Sequence, residues 1–171
     1  MLFQFLLTFS FLTISLFSGC IQENEEEIEE TASPTPSLEE EKTAILATLN
    51  AETKAALSRD YEAWKRYWVQ EAYVSKHYLN FADSSLSEYQ GWTAIDDFVR
   101  TYIEEHPEPV PLPTPLEELD LRLYGSGAWV HYEQMDAVYG RKRESRLMEK
   151  VEGEWKIAGM QTVIYGFPES E

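Results

Sequence analysis

Hydrophobic positions in the first half of the chain recur three and four residues apart, which is the spacing of one face of an α-helix. Ser37 and Glu40 precede this pattern with the spacing of a capping box, and Asp60 is placed to cap a second, shorter helix. A third apolar stripe ends at Pro107, which cannot continue a helix. The pattern therefore predicts three helices, whose apolar positions include Ile45, Leu49, Leu57, Tyr61, Trp64, Trp68, Ile95, Phe98, Val99 and Tyr102.

The periodicity changes after the segment PEPVPLPTP, which contains too much proline for a helix or a strand. From Leu119 onward apolar and polar residues alternate, as in a strand with one buried face. Turn residues at 125–127, near Gly140 and at 152–153 divide this region into antiparallel strands. Helices followed by hairpins predict an α+β domain, in which the N-terminal helices cover the concave face of a curved antiparallel sheet.

Two-residue turns at Gly125-Ser126 and Glu152-Gly153 predict a register that gives the sheet one apolar face with a polar end. In this register Gln134 meets Glu144, and Gly159 lies opposite Arg146 and leaves room for a ligand. An apolar wall with a few convergent polar groups is typical of a small-molecule site. The polar end carries Tyr132, Gln134, Glu144, Arg146 and Gln161.

Residues 42–165 resemble the nuclear transport factor 2-like superfamily, also called SnoaL-like or ketosteroid-isomerase-like. The matching segments are LNAETKAALSRDYEAWKRYW, GWTAIDDFV, AWVHYEQ and ESRLMEKVEGEWKIAGMQ, and the Glu-Gly-Glu-Trp-Lys-Ile stretch is the most specific of them. The resemblance implies a cone-shaped fold, with helices closing over the sheet around a pocket, and frequent dimers. The superfamily includes isomerases, dehydratases, hydrolases and many members without known activity, so the fold assigns no reaction.

Each candidate ligand-binding residue also has a structural interpretation. Arg146 and Glu144 either bind a polar ligand group or form an internal ion pair. Tyr132 either donates a hydrogen bond to a ligand or fills the core. Trp68 and Trp92 either line the mouth of the pocket or belong to the core.

The candidates for acid–base chemistry are few. Glu144 is the only acid predicted on the inner face, and His77, predicted to lie between helices, is a second candidate base. Asp120 and His131 pair on the opposite face, where a surface pair is the simpler interpretation. The chain has three histidines and one cysteine without metal-ligand spacing, and it has no phosphate loop or nucleophile elbow. We therefore expect neither a metal nor a cofactor, and the sequence favours binding over catalysis.

Residues 1–19 contain no charged side chain and are rich in Leu and Phe, which suits a signal peptide. The segment Phe17-Ser18-Gly19-Cys20 resembles a bacterial lipobox, in which the cysteine becomes the lipidated first residue. Acyl chains contribute about 0.8 kcal/mol per buried methylene, so two or three of them anchor a protein stably in a membrane. The alternative is an uncleaved membrane helix in which Cys20 has no role.

Negative charge is concentrated in the segment that follows Cys20. The sequence has 31 acidic and 14 basic side chains, and residues 20–41 carry nine of the acids and no base. This run resembles the acidic export tag of lipoproteins displayed on the surface of some Gram-negative bacteria, and it also suits a self-repelling tether. A surface this acidic repels nucleic acid.

These observations predict four segments: a signal peptide at 1–19, a disordered tether at 20–38, the domain at 39–166 and a tail at 167–171. The expected protein is an envelope lipoprotein, held in the outer membrane through Cys20, whose domain binds a small, partly apolar molecule. Two alternatives stay open. One is a cofactor-free isomerase or dehydratase that uses Glu144 or His77, and the other is a dimerising interaction protein whose own side chains fill the pocket.

Overall fold

The computed structural model describes residues 36–81 and 83–167. The predicted signal peptide, the predicted lipidation site Cys20, most of the predicted tether and the last four residues lie outside this part of the chain. The helices are α1 (Leu38–Leu57), α2 (Tyr61–Trp64) and α3 (Trp92–Glu105), and a 3₁₀ turn (Lys65–Tyr67) follows α2. The strands are β1 (Ser75–Asn80), β2 (Ser85–Gln90), β3 (Asp120–Tyr124), β4 (Gly127–Asp136), β5 (Gly140–Val151) and β6 (Glu154–Gly166).

The predicted helix starts are confirmed at the level of single hydrogen bonds. Ser37 accepts from the Glu40 backbone N–H while the Glu40 side chain accepts from the Ser37 backbone, which is a complete capping box. The Asp60 side chain accepts from the Ala63 N–H at the start of α2. Both caps satisfy backbone donors that a helix start leaves without partners, so these boundaries are encoded locally.

The strands form one six-stranded sheet in the order β2-β1-β6-β5-β4-β3. Every neighbouring pair is antiparallel except β1 with β6, which is parallel. The predicted α+β class is confirmed, and so is the pairing of β3 with β4 across Gly125-Ser126. The hairpin of β1 and β2 was not predicted, because its sequence lacks clear alternation of apolar and polar residues. His77 therefore lies in a strand, not in a loop between helices.

Helices α1 and α3 pack against the inner face of the sheet. Ile45 and Leu49 of α1 and Ile95 of α3 are fully buried, together with Val130 and Met148 of the sheet. Glu41 connects α1 to the end of the β5–β6 hairpin: it pairs with Lys150 at 2.5 Å and accepts from the Trp155 indole at 2.6 Å. No helix in the described residues is both long enough and apolar enough to cross a membrane.

Two features change the predicted register. The β4–β5 turn is shorter than expected, because Asp136 Oδ1 accepts from the backbone N–H groups of Val138 and Tyr139 at 2.8 and 3.0 Å and closes a tight turn. As a result Tyr132, not Gln134, lies opposite Glu144. The shift is two residues, so the predicted inner face keeps its members on β4 and β5.

The second feature is an irregularity in the β5–β6 ladder beside Ala158. Met148 pairs with Ile157, whereas the next residue, Leu147, pairs with Gly159. This β-bulge turns Met160 and Thr162 inward and Gln161 outward. The predicted inner position of Gln161 is therefore wrong. Gly159 does not lie opposite Arg146 either, since it packs against Leu147 on the outer face.

Candidate functional site

Four charged side chains are buried between the helices and the inner sheet face. They are Glu52 of α1, Lys76 of β1, and Glu144 and Arg146 of β5, each no more than 5% exposed. Register explains how the strands bring them together: Arg146, Met160 and Lys76 form one row across β5, β6 and β1. Glu144 belongs to the next row, between Tyr132 and Thr162. We call these four residues the buried charged cluster.

Glu52 connects the helical side of this cluster to the sheet. Its Oε1 accepts from the indole nitrogens of Trp64 at 2.7 Å and Trp68 at 3.1 Å, and its Oε2 lies 3.9 Å from Arg146 Nη2. Sequence analysis missed Glu52, although it follows Leu49 by three residues and Ile45 by seven, on the apolar stripe of α1. A carboxylate on an apolar stripe is a signal for a buried polar partner.

Glu144 has hydrogen-bond or ion-pair partners on both oxygens. Oε1 pairs with Lys142 Nζ at 3.1 Å, and Oε2 accepts from the Tyr132 hydroxyl at 3.0 Å and from Arg146 Nη2. Burial alone would raise the pKa of Glu144, but the charges of Arg146 and Lys142 lower it to about 2. Glu144 is thus ionised at neutral pH and is a weak base.

Arg146 is a buried cation with unused hydrogen-bonding capacity. Its Nη2 contacts Glu144, whereas Nε and Nη1 have no hydrogen-bond partner among the described residues. The hydroxyl of Thr162, on the neighbouring strand, also lacks a partner there. Buried donors are nearly always paired in proteins, so these groups are suited to receive an external acceptor.

Lys76 lies among aromatic rings. Its ammonium is 5.5 Å from the ring centre of Trp64, 4.9 Å from that of Trp68 and 5.5 Å from that of Tyr78, within the range of cation–π attraction. It makes no ion pair within 4 Å in the described part of the chain. Burial lowers the pKa of Lys76 to about 8. Sequence analysis missed Lys76 because β1 was not recognised.

A cavity of about 600 Å³ lies along β3, β4 and β5 and reaches the cluster at Tyr132. Lys42, Glu118, Leu119, Asp120, His131, Glu133, Arg143 and Tyr132 line it. Tyr132 belongs to both places, because it lines the cavity and its hydroxyl donates to Glu144. The cavity is therefore connected through Tyr132 to Glu144, and through Glu144 to Arg146.

The structure brings some of the predicted site residues together and separates others from them. It brings Tyr132, Glu144, Arg146 and Trp68 together in or beside the cluster. Trp92 is half-buried and stacks on Trp64, with ring centres 5.8 Å apart.

Two predicted residues lie at the edge of this arrangement or outside it. Gln134 is on the inner face but donates to the Thr114 carbonyl oxygen at 3.4 Å, away from the cluster. Gln161 is exposed on the outer face.

The candidate base His77 lies on the outer face as well. Its Nε2 is 3.8 Å from an oxygen of Glu88, while its neighbours Lys76 and Tyr78 point inward. Its predicted role as a base in the pocket therefore has no geometric support. His131 is on the same outer face, opposite Asp120 as predicted, with Nδ1 2.9 Å from the Ser145 hydroxyl.

No group of three or more His, Cys, Asp or Glu side chains within residues 36–81 and 83–167 is arranged to hold a metal ion. The charges of the cluster compensate one another instead, as in a buried ion-pair network. Such an arrangement can hold a polar group of an organic molecule.

Solved structures with the nuclear transport factor 2-like fold are similar to this chain. One is a protein of unknown function from Silicibacter pomeroyi, with a TM-score of 0.56 and 17% identity over 75% of this chain and 99% of that one. Another, from Streptomyces avermitilis, is described as a candidate dehydratase; its TM-score is 0.57 at 9% identity, over 75% of this chain and 98% of that one. A superfamily protein from Salmonella enterica serovar Typhimurium has a TM-score of 0.51 and 17% identity, over 76% of this chain and 93% of that one.

The chain therefore has the nuclear transport factor 2-like fold, which confirms the resemblance seen in the sequence. At these identities the likeness concerns the fold alone and assigns no substrate or reaction. No family model matches the sequence, and no curated protein does.

Proposed function

We propose that this chain is a lipid-anchored protein of the bacterial cell envelope whose domain binds a small, partly apolar molecule at the buried charged cluster. The observation that carries the binding proposal is Arg146, a fully buried guanidinium with two nitrogens that have no partner in the described residues. A structural ion pair alone would not leave this capacity unused. Trp64 and Trp68 supply the apolar surroundings.

Native mass spectrometry of the protein purified gently from its own host tests this proposal. We expect a reproducible additional mass on the chain, which is lost in Arg146→Lys because lysine keeps the charge but removes the Nε and Nη1 donors. Arg141→Lys is the matched control, since Arg141 lies on the same strand but outside the cavity lining and pairs with Glu133 at the surface. A bare polypeptide mass under all conditions, or an equal loss in both variants, would contradict the proposal.

Catalysis at the same site has weaker support. Glu144 is a weak base, and His77 lies on the other face of the sheet. An isomerase or dehydratase would need a base stronger than Glu144 beside the substrate.

The proposed anchor has its own test. In cells fed an alkyne-tagged fatty acid, the wild-type chain is expected to incorporate the label and to sediment with membranes. Cys20→Ser removes the only thiol of the chain, so label and membrane attachment should both be lost. Label that persists in Cys20→Ser would exclude lipidation at this residue.

We also propose that a second copy of the chain covers the outer face of the sheet. Trp129 and Leu147 pair directly across β4 and β5 on this face, and they are 51% and 48% exposed. An adjacent exposed pair of this size favours a protein contact, and frequent dimers accompany the fold.

Trp129→Glu is therefore expected to convert a dimer of the full chain into a monomer, as measured by light scattering after gel filtration. Leu86→Glu, the same type of change at an exposed residue of the edge strand β2, should leave the mass unchanged. A monomeric wild type, or a dimeric Trp129→Glu, would refute this interface.

A further inference from the structure

The buried charged cluster has more hydrogen-bond donors than acceptors. Both oxygens of Glu144 are engaged, and Glu52 Oε1 accepts from two indoles. In contrast, Arg146 Nε, Arg146 Nη1 and the Thr162 hydroxyl lack partners among the described residues. Of the four carboxylate oxygens, only Glu52 Oε2 accepts no hydrogen bond from the described residues, and Arg146 Nη2 lies 3.9 Å from it. The unpaired donors therefore outnumber the free acceptors, and a site of this kind favours a ligand group that accepts hydrogen bonds.

The unused donors lie on one face of three adjacent strands. Arg146 and Lys76 stand on either side of Met160, so their Cα atoms are about 10 Å apart across two strand spacings. Both side chains are long enough to reach a group placed above Met160. Thr162 follows Met160 on the same face of β6 and can donate to the same group.

Except for the Thr162 hydroxyl, the free donors belong to cations. Lys76 makes no ion pair among the described residues and lies 4.9–5.5 Å from three ring centres, and Arg146 is charged at every accessible pH. Hydrogen bonds between charged partners are roughly twice as strong as neutral ones, so an ionised acceptor suits these donors better than a neutral one.

The ligand's charge is limited by the groups already present. The site already holds equal numbers of positive and negative side chains when the partly exposed pair of Lys142 and Asp136 is included. The cations are Lys76, Arg146 and Lys142, and the carboxylates are Glu52, Glu144 and Asp136. A dianion such as a phosphate monoester would therefore add a large uncompensated charge in a buried site, whereas a single carboxylate adds the least. The rings of Trp64, Trp68 and Tyr78 offer their faces to an apolar body.

We infer that the molecule bound at the cluster is a monocarboxylic acid with an apolar body, whose carboxylate is received by Arg146 and Lys76. This inference rests on the proposed binding function. It defines the ligand class by charge and donor number, and it gives Lys76 the role of a second carboxylate-binding residue.

The test uses the full chain in lipid nanodiscs with ¹⁵N-labelled tryptophan. The indole N–H groups of Trp64 and Trp68 donate to Glu52 and report on the cluster, whereas Trp129 on the outer face is an internal reference. The probes are phenylacetate, 4-methylpentanoate and decanoate, each compared with its primary amide. We expect at least one acid to shift the Trp64 and Trp68 signals and to bind at least tenfold more tightly than its amide.

Variants assign the effect to the proposed residues. Arg146→Lys and Lys76→Met should each weaken binding of that acid at least tenfold, while Arg141→Lys leaves it unchanged. Well-dispersed indole signals verify that each variant is folded, and the two variants are independent, so a folding failure of one leaves the other as the test.

Each of the other outcomes would refute a specific part of the proposal. Equal binding of acids and amides would refute the carboxylate while leaving the binding function intact. Full affinity for the acid in the folded variants would refute the roles of Arg146 and Lys76. If no probe moves the cluster signals, both the inference and the proposed binding function fail.

Discussion

Glu144→Gln is expected to lower the free energy of unfolding by about 3–5 kcal/mol at pH 7, the usual cost of breaking a buried ion pair on one side. Glutamine has nearly the same shape, so the loss comes from the missing charge and not from a cavity. Without that charge, Arg146 keeps only Glu52, at 3.9 Å, and Lys142 keeps only Asp136, at 3.5 Å. Urea denaturation of the full chain measures the change.

Glu133→Gln is the matched control for this experiment. Glu133 lies on the neighbouring strand and pairs with Arg143 at 2.7 Å, but both side chains are about half exposed. Solvent screens such surface pairs, so no measurable change in stability is expected. Equal effects of the two substitutions would show that burial does not strengthen the pair of Glu144 and Arg146.

The low pKa of Glu144 predicts that the folded chain loses stability in acid. The pKa of Glu144 is about 2 in the folded chain against an ordinary value of 4.5, so the unfolded chain binds the proton first as the pH falls. The stabilisation by ionised Glu144 is therefore present above pH 4.5 and is lost between pH 4.5 and 2. Glu144→Gln should flatten this part of the stability profile.

Lys76→Met is expected to have the opposite effect and to raise the free energy of unfolding by about 2–3 kcal/mol at pH 7. The folded-state pKa of Lys76 is about 8, against an ordinary value of 10.5, because burial disfavours its charge. Methionine fills a similar volume without that cost. A gain in stability with a loss of ligand binding is the pattern of a residue retained for function.

The pH dependence identifies the cause of this effect. Between pH 8 and 10.5 the unfolded chain binds more protons at Lys76 than the folded chain does, so wild-type stability rises with pH through this window. The advantage of Lys76→Met should therefore shrink over the same interval. A pH-independent difference between the two proteins would indicate a packing effect and would contradict a lowered pKa of Lys76 in the folded protein.

Local signals in the sequence predicted much of the inner sheet face. Tyr132, Glu144 and Arg146 lie on it as expected, because alternation along β4 and β5 is a property of each strand alone. The two-residue error in pairing β4 with β5 did not matter for this, since a shift of two restores the face. Gln161 was misplaced because a single bulge inverts the alternation beyond it. A glycine inside the strand, Gly159, was the only hint of that bulge.

The sequence by itself determined the fold class, the capped helix starts and the side of the sheet that faces the helices. These features depend on neighbours a few residues apart, through periodicity, turns and local hydrogen bonds. Only the tertiary structure decided that Glu52 and Lys76 join Glu144 and Arg146. Glu52 is 92 residues away from Glu144 in the chain, and Lys76 enters through the parallel pairing of β1 with β6. Burial requires these charges to find compensating partners, and only the folded chain brings such partners from α1, β1, β4 and β5 together.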